Sequence, residues 1–164
     1  MILALTGTPG TGKTSVAAEL DGFDVLDLTE FVKSRDLGEQ GEEFEVDTAA
    51  MVEALEEELE GESDAVVEGH LSHHFPADYC VVLRCEPGEL EERLAERGYS
   101  QDKIQENVES EALDVILQEA VSRQEKVIEV DTTGKSAGEV ASEIERRMEE
   151  DDTGYGDIDW SDYF

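Results

Sequence analysis

The chain has 164 residues, which is enough for one domain with a hydrophobic core. Its 44 Asp and Glu outnumber 12 Lys and Arg and give a formal net charge of -32, which repels nucleic-acid phosphates and anionic membrane surfaces. The acids are spread along the whole chain, and this favours a halophilic protein in a salty cytoplasm over a local acidic tail.

Two further features predict a cytoplasmic location without membrane contact. Cys80 and Cys85 flank the apolar run VVL, a spacing that forms neither a disulfide framework nor a metal knuckle. We therefore expect buried thiols in a reducing compartment. The sequence also shows no signal-peptide pattern and no apolar run of about 18 residues.

Apolar runs alternate with amphipathic stretches along the chain. The predicted strands, in chain order, are MILALTG, FDVLDL, DAVVEG, YCVVLRC and KVIEVDTTG. The predicted helices are TGKTSVAAELDG, a short one in TEFVKS, TAAMVEALEEELEG, PGELEERLAERG, SQDKIQENVESEALDVILQEAVSRQ as one long helix, and SAGEVASEIERRMEEDD. This alternation predicts a parallel sheet that is covered by helices on both faces, with right-handed crossovers.

The segment GTPGTGKT, at positions 7–14, matches the phosphate-binding pattern G-x-x-x-x-G-K-[ST] at every fixed position. A predicted strand precedes it and a predicted helix follows it, as the pattern requires. Gly10 and Gly12 let the backbone approach a phosphate closely, so that successive N–H groups can surround the anion. The alternative is a Gly- and Thr-rich turn that only joins a strand to a helix.

Side chains of the same segment predict a site for ATP and Mg²⁺. We expect Lys13 to reach the β- and γ-phosphates, Thr14 to hold Mg²⁺ through its hydroxyl, and Ser15 to touch the α-phosphate. A metal site also needs a carboxylate at the end of a neighbouring strand, and the sequence offers Glu68 or Asp27. Because Glu is one methylene longer than the usual Asp, Glu68 would act through a metal-bound water or on another water. An exposed or capping carboxylate is the alternative.

The remaining motifs separate the classes of short P-loop protein. GTPases need an Asn-Lys-x-Asp motif, which the sequence lacks, and AAA-type modules need a longer chain with a helical lid domain. Small nucleotide kinases need an acceptor segment after the second strand and a lid that carries arginines. The polar segment over 28–46 fits the first requirement. Arg93 and Arg97, four residues apart on one helical face, fit the second.

Scarce positive charge gathers in a stretch that contains Arg84, Arg93, Arg97 and Lys103. We predict that this basic cluster binds nucleotide phosphates and, most of all, the charge that develops during phosphoryl transfer. Salt bridges to neighbouring glutamates of the same helix are the alternative.

Histidines and aromatic residues allow weaker predictions. The spacing of the histidines in HLSHH could suggest zinc, but no Cys accompanies them, so we expect no metal there. His70 is predicted to orient water or phosphate, whereas His73 and His74 are predicted to be surface or packing residues. The aromatic residues of the tail TGYGDIDWSDYF leave three options: a solvated end, docking on the sheet, or binding a partner.

Two segments, GTPGTGKT and HLSHHFPADYCVVLRCEPGELEERLAERGYSQDKIQENVESE, resemble the adenylate kinase isoenzyme six family, the atypical nuclear adenylate kinases with archaeal relatives. The chain looks like a haloarchaeal member of that family. The likeness spans nearly the whole chain and is densest over 67–111. Classical adenylate kinases carry an Asp-Gly-x-Pro-Arg signature, which is absent here. The resemblance implies an α/β P-loop NTPase three-layer sandwich with a five-stranded parallel sheet and short acceptor and lid regions.

The resemblance also implies positions. Residues 1–150 would form a single kinase domain, with the acceptor region over 28–47, the lid over 96–106 and an acidic aromatic tail over 151–164. The residues expected to bind ATP are Gly10, Gly12, Lys13, Thr14, Ser15 and Arg97. The residues expected in catalysis are Lys13, Arg97, Glu68 and His70. The family often has Asp-x-His where this chain has Glu68-Gly69-His70.

An enzyme follows from the resemblance: a monomeric nucleoside monophosphate kinase of broad specificity that uses Mg-ATP and AMP and also hydrolyses ATP. The resemblance further implies a role in maturation of the small ribosomal subunit and its 16S rRNA, through a small-subunit ribosomal protein. Direct contact with nucleic acid stays open. The alternative is an ATP-hydrolysing ribosome-assembly factor that the ribosomal protein gates, with incidental kinase activity, since an acidic surface suits a basic partner.

Overall fold

The computed structural model describes residues 1–39 and 45–164, so part of the expected acceptor region lies outside the described residues. The strands are β1 (Ile2–Gly7), β2 (Asp24–Asp27), β3 (Gly38–Glu39), β4 (Glu45–Val46), β5 (Ala65–Glu68), β6 (Tyr79–Arg84) and β7 (Val127–Asp131). The helices are α1 (Lys13–Ala18), α2 (Leu28–Ser34), α3 (Thr48–Glu58), α4 (Pro87–Glu96), α5 (Gln101–Ala112), α6 (Val115–Arg123) and α7 (Ala137–Glu149). Short 3₁₀ turns occupy Ser72–His74 and Ser161–Tyr163.

The described residues form a five-stranded parallel sheet with the strand order β2-β5-β1-β6-β7, which confirms the predicted sheet. β1 lies at its centre and is buried from Leu3 to Gly7, because β5 and β6 flank it. The chain crosses to β2 on one side of β1 and later to β6 and β7 on the other. In open α/β sheets, ligands bind beyond the carboxyl ends of the strands at such a reversal.

Side chains of β1 alternate between the two faces of the sheet, as strand geometry requires. Leu5 packs in one cluster with Val16 of α1 and Ile144 of α7. Ala4 points the other way and packs with Leu117 of α6. The single cluster that holds α2 and α3 lies on this second face as well, since it includes Val67, the neighbour of Ala4 in register. The protein is therefore a three-layer sandwich.

The predicted long helix over SQDKIQENVESEALDVILQEAVSRQ is wrong, because it breaks into α5 and α6. The break falls at Asp114, whose φ of 59° is left-handed. No Gly or Pro marks the position in the sequence. The tertiary reason is that the Asp114 carboxylate turns inward and accepts a hydrogen bond from Arg84 Nη2 at 2.5 Å.

Arg84 does not contribute to a phosphate-binding cluster, contrary to the sequence-based prediction. Its side chain is only 1% exposed at the end of β6. Arg84 Nε donates to Glu111 Oε2 at 2.9 Å, and Nη1 donates to Glu129 Oε2 at 2.7 Å. With Asp114, these residues form the Arg84 network, in which one buried guanidinium meets three carboxylates. The sequence showed a cation near other cations, and the fold surrounds it with acids.

The tail begins against β7. Glu129 N donates to Gly154 O at 3.0 Å, and Gly154 N donates to Val127 O at 2.8 Å, so this short segment extends the sheet edge. Gly156 N then donates to Glu129 Oε1 at 2.8 Å. Docking on the sheet is therefore what the structure shows for the start of the tail, while Phe164 at its end is exposed.

Cys80 and Cys85 are buried free thiols, which confirms the prediction for them. Burial raises the pKa of each thiol to about 12, so both are protonated at neutral pH and neither is a reactive thiolate. Among the helices of residues 1–39 and 45–164, none combines the length and apolar character needed to cross a bilayer.

Replacing Arg84 by Met should lower the free energy of unfolding by about 3–5 kcal/mol, because the buried carboxylates of Glu111 and Glu129 lose their counter-charge. Urea unfolding in molar KCl measures the change. Arg146→Met is the matched control, since it removes an exposed pair with Glu150 and should cost less than about 1 kcal/mol. Equal losses in the two variants would show that the network is not needed for stability.

Candidate active site

A recess of about 860 Å³ opens beyond the carboxyl ends of the strands, at the point where the strand order reverses. The loop between β1 and α1 forms its floor, and α4 and the start of α2 form its sides. The ionisable residues that line it are Lys13, Asp27, Glu30, Glu68, His70, Arg93, Glu96, Arg97, Tyr99 and Lys135. The fold thus collects in one place groups from nearly every part of the sequence.

The loop after β1 needs glycine at two positions. Gly10 has a φ of 94°, and a Cβ there would lie 2.9 Å from Leu90 Cδ1 and from Leu94 Cδ2 of α4. Gly12 has a φ of 100°, which is the left-handed conformation that begins α1. Gly10 therefore serves the close packing of the loop on α4, and Gly12 serves the backbone path, as well as any approach to a phosphate.

Lys13 bends back over its own loop. Its Nζ donates to Gly7 O at 2.9 Å and to Thr8 O at 3.1 Å. Burial lowers the pKa of Lys13 to about 8, and the nearby Arg97 charge adds to this, while Glu68 opposes it. An anion in the recess would offer Lys13 a stronger partner than two carbonyl oxygens, so the side chain is placed to exchange them for phosphate oxygens.

Thr14 and Glu68 meet at the base of the recess. Thr14 Oγ1 donates to Glu68 Oε1 at 3.1 Å, although 54 residues separate them in the chain. Glu68 is 4% exposed, and burial together with the charge of Asp27 raises the pKa of its carboxyl. Asp27 lies next to Glu68 in register, at the end of β2. Hydroxyl and carboxylate oxygens suit Mg²⁺, so Thr14 and Glu68 could hold this ion.

Asp27 has a structural role besides its place in the recess. Its carboxylate accepts a hydrogen bond from Glu30 N at 3.2 Å and so caps the N-terminus of α2. The alternative of a capping carboxylate is therefore realised for Asp27, whereas Glu68 is buried beside Thr14.

His70 lies two residues beyond β5 and lines the recess. Partial removal of the ring from water, together with the Lys13 charge, lowers the pKa of His70 to about 4 although the residue is exposed at the mouth of the recess, so the imidazole is neutral at physiological pH. A neutral imidazole can donate or accept a hydrogen bond without adding charge. Ser15 also lines the recess and is exposed.

The predicted basic cluster is divided by the fold. Arg93 and Arg97 line the recess, Arg84 lies in the core, and the Lys103 ammonium lies on the exposed face of α5, 3.3 Å from Glu106 Oε2. Arg97 ends α4, with its Cζ 5.3 Å from the centre of the Tyr99 ring. Of the four cations in this stretch of the sequence, two, Arg93 and Arg97, therefore line the recess.

Arg93 combines a salt bridge with a place in the recess. Its Nη2 lies 2.7 Å from Glu89 Oε2, one turn earlier on α4, so the alternative of a salt bridge within the helix is realised for Arg93. Its Nη1 also donates to Gly10 O and to Thr132 Oγ1, both at 3.3 Å. Arg93 thus joins α4, the phosphate-binding loop and the segment after β7.

Sequence reasoning missed residues that support the loop from behind. Thr8 Oγ1 donates to Glu111 Oε1 at 2.9 Å, and Glu111 Oε2 also accepts a hydrogen bond from Cys85 N at 2.9 Å. Burial raises the pKa of Glu111, although the Arg84 charge opposes this. Thr8 stands at a variable position of the phosphate-binding pattern and Glu111 lies 103 residues away, so no signal in the sequence pairs the two. Lys135, also missed, reaches the recess from the loop after β7.

Comparison with known proteins places this chain in a family. A family model described as AAA domain matches residues 3–114. A Pyrococcus furiosus protein named "Putative adenylate kinase" is 51% identical over 148 residues, which are 88% of this chain and 82% of that protein. A protein of the same name from Natronomonas pharaonis is 46% identical over 148 residues, 88% of each chain. The chain belongs to this adenylate-kinase-like family.

Solved structures show the same fold in more distant kinases. Shikimate kinase from Acinetobacter baumannii in complex with shikimate has a TM-score of 0.66 at 17% identity, covering 92% of this chain and 94% of that one. Deoxyadenosine kinase from M. mycoides with bound dATP has a TM-score of 0.59 at 13% identity, covering 91% and 100%. The adenylate-kinase-like chain therefore has a P-loop kinase fold, as predicted.

The expectation that excludes AAA-type modules is wrong as a statement about the family. The matching AAA-domain model ends at residue 114, so it covers the nucleotide-binding part of the adenylate-kinase-like chain without requiring a longer one. The matched stretch includes the segment 7–14, whereas the sequence-based exclusion required a separate helical lid domain.

Substituting Gly10 by Ala should destabilise the protein by about 1–3 kcal/mol and weaken ATP binding, because the new Cβ meets Leu90 and Leu94 at a positive φ. Thermal unfolding with and without Mg-ATP measures both effects. Gly138→Ala is the control, since this glycine lies in α7 with open space around its Cβ position, and its stability should stay equal or rise. Unchanged stability and ATP affinity in Gly10→Ala would contradict the close-packing explanation.

Proposed function

We propose that this protein is a monomeric nucleoside monophosphate kinase of broad specificity that transfers the γ-phosphoryl group of Mg-ATP to AMP and also hydrolyses ATP. The observation that carries the proposal is the shared recess of Lys13, the Thr14–Glu68 pair, and Arg93 with Arg97. The adenylate-kinase-like relatives support a nucleotide kinase. We propose ATP, AMP and Mg²⁺ as the ligands because the relatives support a nucleotide kinase and the loop geometry suits phosphates.

The proposed roles follow from where each group lies. Lys13 would bind the β- and γ-phosphates in place of the carbonyls of Gly7 and Thr8. Thr14 and Glu68 would hold Mg²⁺, which supplies neutralisation of phosphate charge when bound. Arg93 and Arg97 would neutralise the charge that develops as the bond from the γ-phosphorus to the β-bridging oxygen breaks. Catalysis then rests on positioning and electrostatics, without a covalent enzyme intermediate.

The two activities differ in their need for a base. When AMP attacks, an ionised phosphate oxygen forms the new bond to phosphorus, and no proton has to leave. When water attacks, a proton must leave the water during hydrolysis. His70, neutral in the recess, and Glu68, whose pKa is raised by burial, are the groups placed to orient or deprotonate that water.

The acceptor side supports a second candidate function. The recess-lining residues at the start of the proposed acceptor region are Asp27, Thr29 and Glu30, whereas the lining cations lie on the loop, α4 and the segment after β7. Acidic side chains on this side of the recess repel an anionic acceptor. The acidic acceptor side favours the alternative, an ATP-hydrolysing ribosome-assembly factor that a basic small-subunit ribosomal protein gates. Such a factor would act in the cytoplasm in maturation of 16S rRNA, and its kinase activity would be incidental. The net charge of -32 suits such a basic partner.

Coupled ADP formation from Mg-ATP, with and without AMP in molar KCl, tests the proposal. ADP that forms mainly with AMP, and falls about 10²–10³-fold in Lys13→Ala, is the expected result. Lys126→Ala is the matched control, because this lysine is exposed and pairs with Asp151 outside the recess. AMP-independent ADP formation would favour the assembly-factor alternative, and equal rates in Lys13→Ala and the wild type would refute both.

Replacing His70 by Gln separates the two activities. Because only hydrolysis releases a proton from its nucleophile, the variant should lose ATPase activity by about tenfold or more while AMP-dependent transfer changes less. Parallel assays of phosphate release and of AMP-dependent ADP formation measure this ratio. An equal loss of both would assign His70 to phosphate binding.

ATP binding should take up a proton above pH 8. The free-state pKa of Lys13 is about 8, and a bound triphosphate favours the charged ammonium and raises that pKa. The affinity for ATP is then highest below pH 8 and falls as the pH rises toward the pKa of Lys13 in the bound state. Calorimetry at pH 9, in two buffers with different ionisation enthalpies, should show the uptake in the wild type and none in Lys13→Met. A wild type without uptake would place Lys13 away from the phosphates.

A further inference from the structure

A second group of potential ligands lies outside the recess. His73 and His74 occupy the 3₁₀ turn after β5, and Glu119 projects from α6. His73 Nε2 lies 2.7 Å from Glu119 Oε2, and His74 Nε2 lies 3.8 Å from the same oxygen. In residues 1–39 and 45–164 this is the group of three His, Cys, Asp or Glu side chains whose ligand atoms all lie within 4.8 Å of one another.

We propose that His73, His74 and Glu119 bind one transition-metal ion of the zinc class through two imidazole nitrogens and one carboxylate oxygen. Tetrahedral bonds of about 2.0–2.2 Å place the ligand atoms roughly 3.3–3.5 Å apart. The 2.7 Å separation must therefore lengthen by roughly 0.6–0.8 Å, and the 3.8 Å separation must shorten by roughly 0.3–0.5 Å. Glu119 is 41% exposed, so its side chain has room for this adjustment.

The first ligand is held in place from behind. His73 is fully buried, and its Nδ1 lies 2.7 Å from Thr6 Oγ1 of β1. In the ion-free protein Nε2–H donates to Glu119 Oε2 and Nδ1 accepts from the Thr6 hydroxyl, whereas an ion at Nε2 places the ring proton on Nδ1, which then donates to Thr6 Oγ1. A hydrogen bond of this kind to the second ring nitrogen orients the histidine ligands of metal sites.

The turn that carries both histidines is also fixed to α6. Gln124 Nε2 lies 2.7 Å from His73 O and 2.7 Å from Phe75 O, so it donates to the backbone on both sides of His74. Gln124 follows directly after the helix that supplies Glu119. Ligands from two distant parts of the chain are thus kept within reach of each other without the ion, and this lowers the ordering cost of binding it.

The charges and donor types select the class of ion. Two imidazole nitrogens and one carboxylate oxygen converge here, and a carboxylate brings negative charge to a bound cation. Two nitrogens and one oxygen suit Zn²⁺ or Co²⁺ better than Mg²⁺, which prefers oxygen. The Arg123 charge acts against binding, while the exposure of Glu119 leaves space for a water as the fourth ligand. Without an ion, the 2.7 Å contact is a hydrogen bond that joins the turn to α6.

Titration of the full chain with Co²⁺ tests the site. Molar potassium nitrate avoids chloride as a competing ligand, and excess Mg²⁺ occupies the oxygen-rich sites of the acidic surface and the recess. The expected result is one equivalent of bound Co²⁺ with the intense visible bands of tetrahedral coordination. His74→Ala and Glu119→Gln should each weaken binding by at least about tenfold.

His70→Gln is the matched control for His74→Ala. It removes a histidine that lies four positions earlier and lines the recess, and it should keep the bands and the affinity. Zn²⁺ should also raise the thermal unfolding temperature of the wild type and of His70→Gln, but not that of His74→Ala. Absence of tetrahedral bands, equal affinity in His74→Ala and Glu119→Gln, or loss of binding in His70→Gln alone would overturn the proposal. None of these results depends on kinase activity.

Discussion

The buried ion pairs of Arg84 connect the parts of the protein that meet behind the phosphate-binding loop. Through Glu111 the guanidinium reaches Thr8 of the loop, and through Glu129 it reaches the backbone of the tail. A buried charge without a partner costs several kcal/mol or more, on the order of 3–5 kcal/mol when one partner is removed. The network therefore favours the one arrangement of α5, β7 and the loop in which every charge is paired. The same constraint explains the left-handed Asp114, because its carboxylate completes the set.

With so few cations in a chain of net charge -32, their placement carries information. Four of the 12 Lys and Arg, namely Lys13, Arg93, Arg97 and Lys135, line one recess. The same recess is lined by four carboxyl side chains, Asp27, Glu30, Glu68 and Glu96, so its cations and acids balance in number, whereas the chain as a whole is strongly acidic. An anion therefore meets less repulsion in the recess, on the side of the cations, than on the rest of the surface. The low pKa of Lys13 is the local consequence of burying a cation beside Arg97.

Two histidine environments arise within five residues of each other. His70 stands in the recess beside the Lys13 charge, where its pKa of about 4 keeps it neutral. His73 is enclosed between Thr6 of β1 and Glu119 of α6 and stabilises the sandwich from the opposite side of the turn. Residue type and spacing do not distinguish these roles, because the direction of each side chain follows from the 3₁₀ turn at Ser72–His74.

The sequence by itself determined the parallel sheet, the position of the phosphate-binding loop and the placement of helices on both faces, because strand periodicity and a glycine-dependent loop are local properties. Only the tertiary structure decided which charges meet. Arg84 and Arg93 belong to the same basic stretch of the sequence, yet Arg84 lies in the core and Arg93 lines the recess. Thr8–Glu111 and His73–Glu119 join residues that are far apart in the chain and that no motif pairs, whereas the motif and the strand end already suggested Thr14 and Glu68 as neighbours. Such pairs form only when strands and helices pack together, and no local sequence pattern specifies which distant residues then come into contact.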